Sequence, residues 1–345
     1  MIRSISFLLL FFGVLSLKSQ SVPAHVLDSL FTLYEEKDKL SGSVGMMKDG
    51  QVLYRRSIGY QNIKEKRKND SLTVYPIGRV TELFVQVLFF QLEEEGKLRF
   101  SDKLSAYYPE IPNSDKITLG QLLRHKSGLK LTDSLYVYNT REKATQYLQK
   151  YPEFKKDEYS NFDYLLLGFI FEDISGKGFD ELVKSKIIEK AALKNTFYGE
   201  NFPEENTAVS YYKQSGVWKT RRAWAETEDY KTTSGMYSTP QDLNVFMMAL
   251  FDGKFFSRKT VDKYIREKDR KKRFSFYYQE EKNWYSLNGN FKGFQIQLRY
   301  SDKDNISMCI ISNANDNMGL DFLFDALRDS YYARPVKFPT ILTDK

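Results

Sequence analysis

The amino-acid sequence predicts an α+β fold in which strands from both ends of the chain share one antiparallel sheet. Three observations lead to this prediction. Strand patterns occur at about residues 42–60 and 275–313, helical patterns fill about residues 80–265, and the chain contains no internal repeat or Pro- or Gly-rich linker. This layout favours a single domain over residues 21–345, with the helical part inserted between the strands, rather than two tandem domains.

Composition excludes several classes of protein. The 345 residues include 52 Lys+Arg and 45 Asp+Glu, and 41% of the chain is hydrophobic, which excludes a disordered chain. A single cysteine, Cys309, excludes an intramolecular disulfide framework, and its apolar surroundings predict a buried side chain. With only two histidines we expect no metal centre, and we predict no cofactor. The aromatic content is high, with 26 Phe, 24 Tyr and 3 Trp.

The first 20 residues predict a signal peptide. Arg3 precedes an apolar stretch from Ile5 to Leu17, and small or polar residues follow it. The competing interpretation is a membrane anchor, but the stretch is shorter than the roughly 20 residues that span a bilayer. We therefore expect an exported protein, periplasmic or secreted, with no transmembrane segment after cleavage and no nucleic-acid partner.

The elements of the first half begin with a hairpin. Asp49-Gly50 separates two strand-like runs between residues 43 and 60, and this dipeptide favours a two-residue turn. Residues 82–95 are apolar on nearly every side, which is typical of a buried helix. Thr81 is the candidate N-cap of this helix, and Gly96 is its candidate stop.

The remaining elements complete the predicted order. Helical patterns occur at residues 116–123, 159–174, 179–189 and 240–251, with Thr239 as the candidate cap of the last. Residues 294–300 then alternate strictly between apolar and polar side chains, which indicates a half-buried strand. A second, fully apolar strand at residues 306–312 and a final helix at residues 320–331 follow.

Seven local strings, in order, resemble the serine β-lactamase and penicillin-binding family, nearest its class C β-lactamase and esterase-like branch. The strings are KDGQVLYRRSIGYQN, YPIGRVTELF, EEGKLRFSDKLSAYYPEIP, ITLGQLLRHKSGL, YSNFDYLLLGFIFEDISGKGF, TTSGMYSTPQDLNVFM and KGFQIQLRYSDKDNISMCIISN. The resemblance covers about residues 25–330 and implies a β-lactamase/DD-peptidase-like fold. It also implies acyl transfer through a serine at the start of the buried helix.

The catalytic motifs implied by this resemblance are altered. Where the family has S-x-x-K, this chain has Arg79 in place of the serine and Glu82 in place of the lysine. Arginine stays protonated and cannot act as a nucleophile. The family's Y-x-N motif is retained as Tyr159-Ser160-Asn161, whereas Leu287-Asn288-Gly289 stands at the K-T-G or H-x-G position, where Gly289 alone matches.

Two other positions were considered as substitutes. Ser210 has a lysine three residues later, Lys213, but it lies in a strand-like segment, and we interpret the spacing as coincidence. His125, in the string HKSGL, is interpreted as a packing histidine, because the sequence pattern gives it no partner acid or nucleophile.

The leading functional hypothesis is a catalytically inactive pseudoenzyme. Arg79 and Glu82 are three residues apart on a helix and are expected to form an ion pair, with Tyr159 and Asn161 bonded to it. Either Arg79 fills and closes the old pocket, or its guanidinium binds a peptidoglycan-derived or other anionic ligand.

Two alternative functions remain open. One is an active esterase, amidase or peptidase with a rearranged site around Tyr159. The other is a protein that binds a partner through aromatic residues in segments that match the family poorly, which are Tyr211, Tyr212, Tyr277 and Tyr278.

Overall fold

The computed structural model describes residues 23–132, 135–199, 201–221, 231–268, 274, 276–315 and 320–339. The predicted signal peptide, residues 1–20, lies outside them. A six-stranded antiparallel sheet of strand order β10-β11-β12-β13-β1-β2 forms the centre. Its strands are β1 (Leu40–Lys48), β2 (Gln51–Ile58), β10 (Tyr277–Gln279), β11 (Trp284–Phe291), β12 (Phe294–Ser301) and β13 (Ile306–Asn315).

The sheet joins the two ends of the chain, as predicted, because β1 pairs with β13. Their register runs from Leu40 opposite Asn315 to Lys48 opposite Ile306. Smaller two- and three-stranded sheets lie between these ends and were not predicted. They are formed by β3 (Tyr60–Asn62), β4 (Arg67–Lys68), β5 (Tyr75–Pro76), β6 (Phe197–Tyr198), β7 (Tyr211–Gln214), β8 (Val217–Thr220) and β9 (Met236–Ser238).

Helices pack on both faces of the central sheet. In chain order they are α1 (Ala24–Glu36), α2 (Thr81–Glu94), α3 (Leu119–Leu123), α4 (Arg141–Lys150), α5 (Asp163–Ser175), α6 (Phe179–Val183), α7 (Glu189–Ala191), α8 (Lys231–Ser234), α9 (Pro240–Phe251), α10 (Arg258–Thr260) and α11 (Asp321–Tyr331). Helices α1 and α11 share one apolar cluster with the outer face of the sheet, and the central helices share another with its inner face.

The β1–β2 hairpin has the predicted turn. Asp49 and Gly50 have φ values of +49° and +78°, which is the left-handed conformation that this two-residue turn requires at both positions. The period-two pattern of residues 294–300 likewise forms β12, whose Phe294, Ile296 and Leu298 are buried in the inner cluster. Short-range patterns were therefore sufficient to locate these strands.

Helix α2 is buried on every side, as its sequence predicts. Its apolar side chains from Leu83 to Leu92 are all inside the protein, and the Phe84 and Phe246 rings stack with centroids 4.3 Å apart. The predicted N-cap was wrong: a 3₁₀ turn, Gly78–Val80, leads directly into the helix, and Thr81 is its first residue. The buried Thr81 hydroxyl instead accepts a hydrogen bond from the Met236 amide at 3.2 Å.

Two other helices begin later than the sequence predicted. Helix α5 begins at Asp163 rather than at residue 159, because residues 159–160 are irregular and a turn at residues 161–162 leads into the helix. Helix α3 begins at Leu119 behind a capping box made by Thr118 and Gln121. Helix α9 spans Pro240–Phe251 with Thr239 as its cap, which confirms the prediction.

The aromatic content lies mainly in the core. Phe251 and Tyr300, for example, stack at 4.1 Å, and Phe90 and Tyr264 at 4.8 Å. Four tyrosines were predicted to form a partner surface. The prediction was wrong for Tyr211, which is buried and whose hydroxyl accepts a hydrogen bond from the Ile63 amide. The other candidates differ in exposure: Tyr212 and Tyr277 are exposed, while Tyr278 is half-buried.

Two smaller observations complete the fold. Cys309 is buried in β13, as predicted. Within the described ranges, no helix combines the length and the apolar character that crossing a membrane would need.

Candidate functional site

The start of α2 is held against the edge of the central sheet. Gly78 has φ +49°, and a Cβ atom on it would overlap the Phe291 side chain of β11. Only glycine fits this approach, and the turn that it begins carries Arg79 out to the surface of the molecule. The position of Arg79 is thus fixed by contact between a 3₁₀ turn and a strand.

Arg79 and Glu82 form the expected ion pair. Nε of Arg79 lies 3.2 Å from Oε1 of Glu82. The two side chains differ in exposure: that of Arg79 is 53% exposed, while that of Glu82 is 13% exposed. Burial lowers the pKa of the Arg79 guanidinium, but the neighbouring Glu82 and Tyr159 raise that pKa by more, so Arg79 stays charged. The pair therefore presents a fixed positive charge outward and a partly buried carboxylate inward.

Tyr159 lies beside the arginine. Nη2 of Arg79 donates to the Tyr159 hydroxyl at 3.4 Å, and the guanidinium carbon lies 5.7 Å from the centre of the ring. Burial raises the pKa of the Tyr159 phenol, and Glu82 and Asp163 add to that rise while Arg79 opposes it. The net direction is upward, so the phenol is protonated at neutral pH.

Asn161 does not bond to the ion pair, which corrects that part of the hypothesis. Its amide nitrogen donates to the Thr132 carbonyl at 2.5 Å, and its Oδ1 accepts from the Thr132 amide at 3.4 Å. This two-way contact ties the loop before α5 to the loop after α3. Asn161 thereby positions the loop that carries Tyr159.

Gly289 lies at the other wall of the site. A Cβ atom on Gly289 would stand 3.1 Å from Cγ2 of Val80 and 3.7 Å from the carbonyl of Ile77, at the turn that carries Arg79. Its neighbour Asn288 faces the other side of the sheet, where Oδ1 accepts from Arg299. Gly289 thus lies against the turn that carries Arg79.

His125 joins this group, although the sequence interpretation made it only a packing residue. Its Nε2 lies 3.2 Å from Oε2 of Glu82, and its Nδ1 lies 4.0 Å from Oδ2 of Asp163. The ring also stacks on Tyr164 at 4.4 Å, so the packing role is present too. The sequence signal for the contacts of His125 with Glu82 and Asp163 was weak, because the three residues lie in separate segments of the chain.

Asp163, at the first position of α5, is fully buried. Burial raises the pKa of its carboxyl to about 7, against the lowering effects of the Ser127 hydroxyl and of His125. Its Oδ1 is buried without a hydrogen-bond partner among the described residues. The site thus contains a row of ionisable groups that runs inward from Arg79 through Glu82 and His125 to Asp163.

The hydroxyls of the serines near this row already form hydrogen bonds within the protein. Ser127 and Ser160 are both fully buried, and their hydroxyls accept from the amides of Leu129 and Phe162. The Ser210 alternative is also excluded by geometry. Its hydroxyl donates to the Lys292 carbonyl, while Lys213 reaches Asp38 instead of Ser210.

A cavity of about 210 Å³ adjoins Tyr159. Apolar side chains of Leu129 and Leu131 form one part of its wall, and Lys130 and Lys155 stand at its rim. Each of these lysines pairs loosely with a glutamate, at 3.5 Å and 3.6 Å. The cavity extends the surface that a ligand held by Arg79 would contact.

The exposed part of this site carries a cation and a phenol. Its outermost group is a permanent cation with hydrogen-bond donors, and its only exposed hydroxyl among the residues described above is the protonated phenol of Tyr159. Within the part of the chain that the structure describes, no three or more His, Cys, Asp or Glu side chains are arranged to hold a metal ion.

Comparison with known proteins gives three findings. The family model described as Beta-lactamase matches residues 27–330. The teichoic acid D-alanine hydrolase of Staphylococcus aureus (strain NCTC 8325 / PS 47) is 28% identical over 303 residues, which cover 85% of this chain and 75% of the relative. Among solved structures, FmtA from Staphylococcus aureus superposes with a TM-score of 0.75 at 24% identity, covering 89% of this chain and 86% of FmtA.

A further solved structure supports the same fold. The penicillin binding protein from Bacillus halodurans has a TM-score of 0.72 at 23% identity, and the match covers 87% of this chain and 98% of that protein. Both structural matches are below 25% identity and therefore speak to the fold alone.

Proposed function

The chain belongs to the β-lactamase family, a family of serine hydrolases, and we propose that it is an exported, non-hydrolysing member that binds an anionic cell-envelope ligand through Arg79. The observation that carries this proposal is the replacement of the family nucleophile by an arginine whose side chain is half exposed and ion-paired to Glu82. The export rests on the sequence of residues 1–20.

The absence of hydrolysis follows from the groups that remain. In a nucleophile–base unit, losing one member costs up to about a million-fold in turnover. Here both positions are changed, and the nearby Ser127 and Ser160 are buried and engaged. Tyr159 is a poor substitute, because its raised pKa keeps the phenol protonated at neutral pH. These points disfavour the alternative of a rearranged hydrolase centred on Tyr159.

Binding, rather than closure of the pocket, is favoured by the geometry of Arg79. Nε pairs with Glu82 and Nη2 donates to Tyr159, so Nη1 has no hydrogen-bond partner among the described residues. A half-exposed guanidinium with a free edge matches the two oxygens of a carboxylate or phosphate group. The neighbouring cavity at Tyr159 offers apolar contacts to the rest of the ligand, and its two lysines are paired with Glu153 and Glu158.

The ligand class is argued from charge and from the family. The relative is named as a hydrolase of D-alanine on teichoic acid, a cell-envelope polymer. We propose that the ligand of this chain comes from the same compartment and carries a carboxylate or phosphate, as a peptidoglycan-derived peptide does. A protein partner that offers an acidic side chain to Arg79 is the other form that such a ligand can take.

Two experiments test the proposal. First, a fluorescent penicillin and a chromogenic cephalosporin are expected to give neither covalent labelling nor turnover with the mature protein. Labelling of any residue would overturn the non-hydrolysing assignment.

Second, muropeptides and D-alanyl dipeptides are titrated against the protein by calorimetry, with their C-terminal amides as uncharged controls. The acids are expected to bind and the amides to bind at least tenfold more weakly. Arg79→Ala should abolish the difference, whereas Arg99→Ala, an exposed arginine after the far end of α2, should preserve it. Equal binding to wild type and Arg79→Ala would remove Arg79 as the anchor.

A further inference from the structure

A second cavity lies on the outer face of the sheet, away from Arg79. It has a volume of about 170 Å³ and is enclosed by β11, β12, β13 and α11, whose contributing side chains include Trp284, Arg299, Met308, Asp321 and Phe324. Trp284, Met308 and Phe324 belong to the outer apolar cluster, whereas α2 belongs to the inner one. The two sites are therefore separated by the sheet.

The inner end of this cavity holds a buried cation. The Arg299 side chain is only 7% exposed, and its Nη1 donates to Oδ1 of Asn288 at 2.7 Å and to the Leu298 carbonyl at 3.1 Å. Its guanidinium carbon lies 4.8 Å from the centre of the Phe324 ring. These contacts fix the orientation of the guanidinium. Its Nη2 faces Asp321, which forms part of the cavity wall.

The floor beside Arg299 contains unsatisfied polar groups. Trp284 is buried, and its Nε1 has no hydrogen-bond partner among the described residues. Ser286, two residues along the same strand and opposite Arg299 in the sheet, has a buried hydroxyl without a partner as well. Buried donors are normally paired, so the unpaired Nε1 of Trp284, which lines the cavity, points to a polar ligand there.

The mouth of the cavity carries charges of both signs. Asp321 accepts from Nη2 of Arg299 at 2.9 Å, yet its side chain is 73% exposed. Asp325, one turn further along α11, pairs with Lys282 at 3.2 Å and with Arg328 at 2.5 Å. The site thus combines a buried cation on the inside with an exposed carboxylate at the entrance.

We propose that this cavity binds a small zwitterion of the α-amino-acid class. The ligand carboxylate takes the place of Asp321 on Arg299, and the ligand ammonium then pairs with the released Asp321. One internal ion pair is exchanged for two ion pairs with the ligand, and the net charge of the cavity does not change. The apolar surfaces of Trp284, Met308 and Phe324 accommodate the ligand side chain.

Charge accounts for the preference for a zwitterion. A simple carboxylate would displace Asp321 from Arg299 and would leave two anions side by side, which is unfavourable. A simple amine would have to compete with Arg299 for Asp321 and would bring a second cation to the buried one. A ligand that carries both charges satisfies Arg299 and Asp321 together, whereas the other two cations of the cavity wall, Lys282 and Arg328, already pair with Asp325.

Trp284 itself provides the signal for the test. In the full mature chain carrying Trp218→Phe and Trp224→Phe, Trp284 is the remaining tryptophan, so its fluorescence reports on this cavity. Glycine, L- and D-alanine, L- and D-phenylalanine, propionate and ethylamine are titrated in turn. At least one amino acid is expected to give a saturable change, with propionate and ethylamine at least tenfold weaker. A flat response to every amino acid, or equal affinity for propionate, would overturn the proposal.

Substitution of Asp321 shows whether a fluorescence change comes from binding in this cavity or from a change elsewhere in the protein. Asp321→Asn is expected to weaken the amino acid at least fivefold and to strengthen propionate, because the competing carboxylate is gone. Asp115→Asn, an exposed aspartate in the helical region, should change neither affinity. Arg79→Ala should also leave the fluorescence titration unchanged, so failure of the Arg79 site and failure of this one can be told apart. An unchanged amino-acid affinity in Asp321→Asn contradicts the exchange of ion pairs.

Discussion

His125 and Glu82 are in direct contact, with Nε2 of the imidazole 3.2 Å from Oε2 of the carboxylate. The other oxygen of Glu82, Oε1, pairs with Arg79 at 3.2 Å. One carboxylate therefore bridges the exposed cation and the buried half of the site. Four predictions follow from this arrangement and from the helix start that supports it.

Replacing Glu82 with Gln should strengthen anion binding at Arg79. The carboxylate competes with a ligand for the guanidinium, and removing one unit charge near a partly exposed pair changes the interaction by about 1 kcal/mol, or about fivefold in affinity. The dissociation constant of a D-alanyl dipeptide, measured by calorimetry, checks this. Glu142→Gln, on the exposed side of α4, is the matched control, and weaker binding in Glu82→Gln would contradict the expectation.

Replacing Asp163 with Asn should flatten the dependence of stability on pH. Burial raises the folded-state pKa of Asp163 to about 7, so the folded protein holds this proton more tightly than the unfolded chain does. The contribution to stability is then present at low pH and is lost as pH rises from about 4 to about 7. Between pH 5 and pH 8, the wild type should lose on the order of 2 kcal/mol more than Asp163→Asn.

Urea unfolding of both proteins across that pH range provides the measurement. Asp242, whose pKa burial also raises, is present in both proteins and cancels in the difference. Parallel stability curves for wild type and Asp163→Asn would show that Asp163 ionises normally.

Placing a serine at position 79 and a lysine at position 82, as the sequence resemblance suggests, should produce slow acylation. In Arg79→Ser with Glu82→Lys, the serine stands on the turn that packs against Phe291, and the lysine stands one helical turn later beside His125. Tyr159 and Gly289 already border this position. A fluorescent penicillin is expected to label the double variant over hours, whereas Arg79→Ser alone, which lacks the base, should stay unlabelled. A folded double variant that never labels would place the defect in the third motif instead.

Removing the Thr81 hydroxyl should destabilise the start of α2. Thr81 is fully buried and accepts from the Met236 amide at 3.2 Å, so Thr81→Val leaves that amide unsatisfied at a cost of about 1–3 kcal/mol. Thr81→Ser keeps the hydroxyl and loses only a methyl group. Chemical denaturation should rank the valine variant below the serine variant, and equal midpoints would contradict the role of this hydrogen bond.

Local sequence patterns predicted the elements whose cause is local. The Asp49-Gly50 turn, the alternation that forms β12 and the Thr239 cap of α9 each depend on neighbours within a few residues. The same reasoning placed Thr81 wrongly, because its hydroxyl is recruited by Met236 from a distant segment. Tertiary contacts thus override capping preferences at the very turn that carries Arg79.

Of the contacts in the site, the sequence predicted only the one between residues close together at the start of α2. The Arg79–Glu82 pair depends on a three-residue spacing and could be foreseen, whereas the contact of His125 with Glu82 and Asp163 joins three separate segments. Asn161 illustrates the opposite error, since its motif position suggested a contact with the ion pair but its amide bonds to Thr132. The outer cavity at Arg299 had no sequence signal, because only the folded sheet brings β11, β12, β13 and α11 together.

The pairing of β1 with β13 has a consequence for the order of events during synthesis. Leu40–Lys48 emerges from the ribosome long before its partner Ile306–Asn315. The central sheet therefore cannot close until β13 has been made, and contacts between segments so distant in the chain form slowly. A nascent or truncated chain would expose the open edges of β1 and β12, so premature termination is expected to yield aggregates rather than a smaller folded protein.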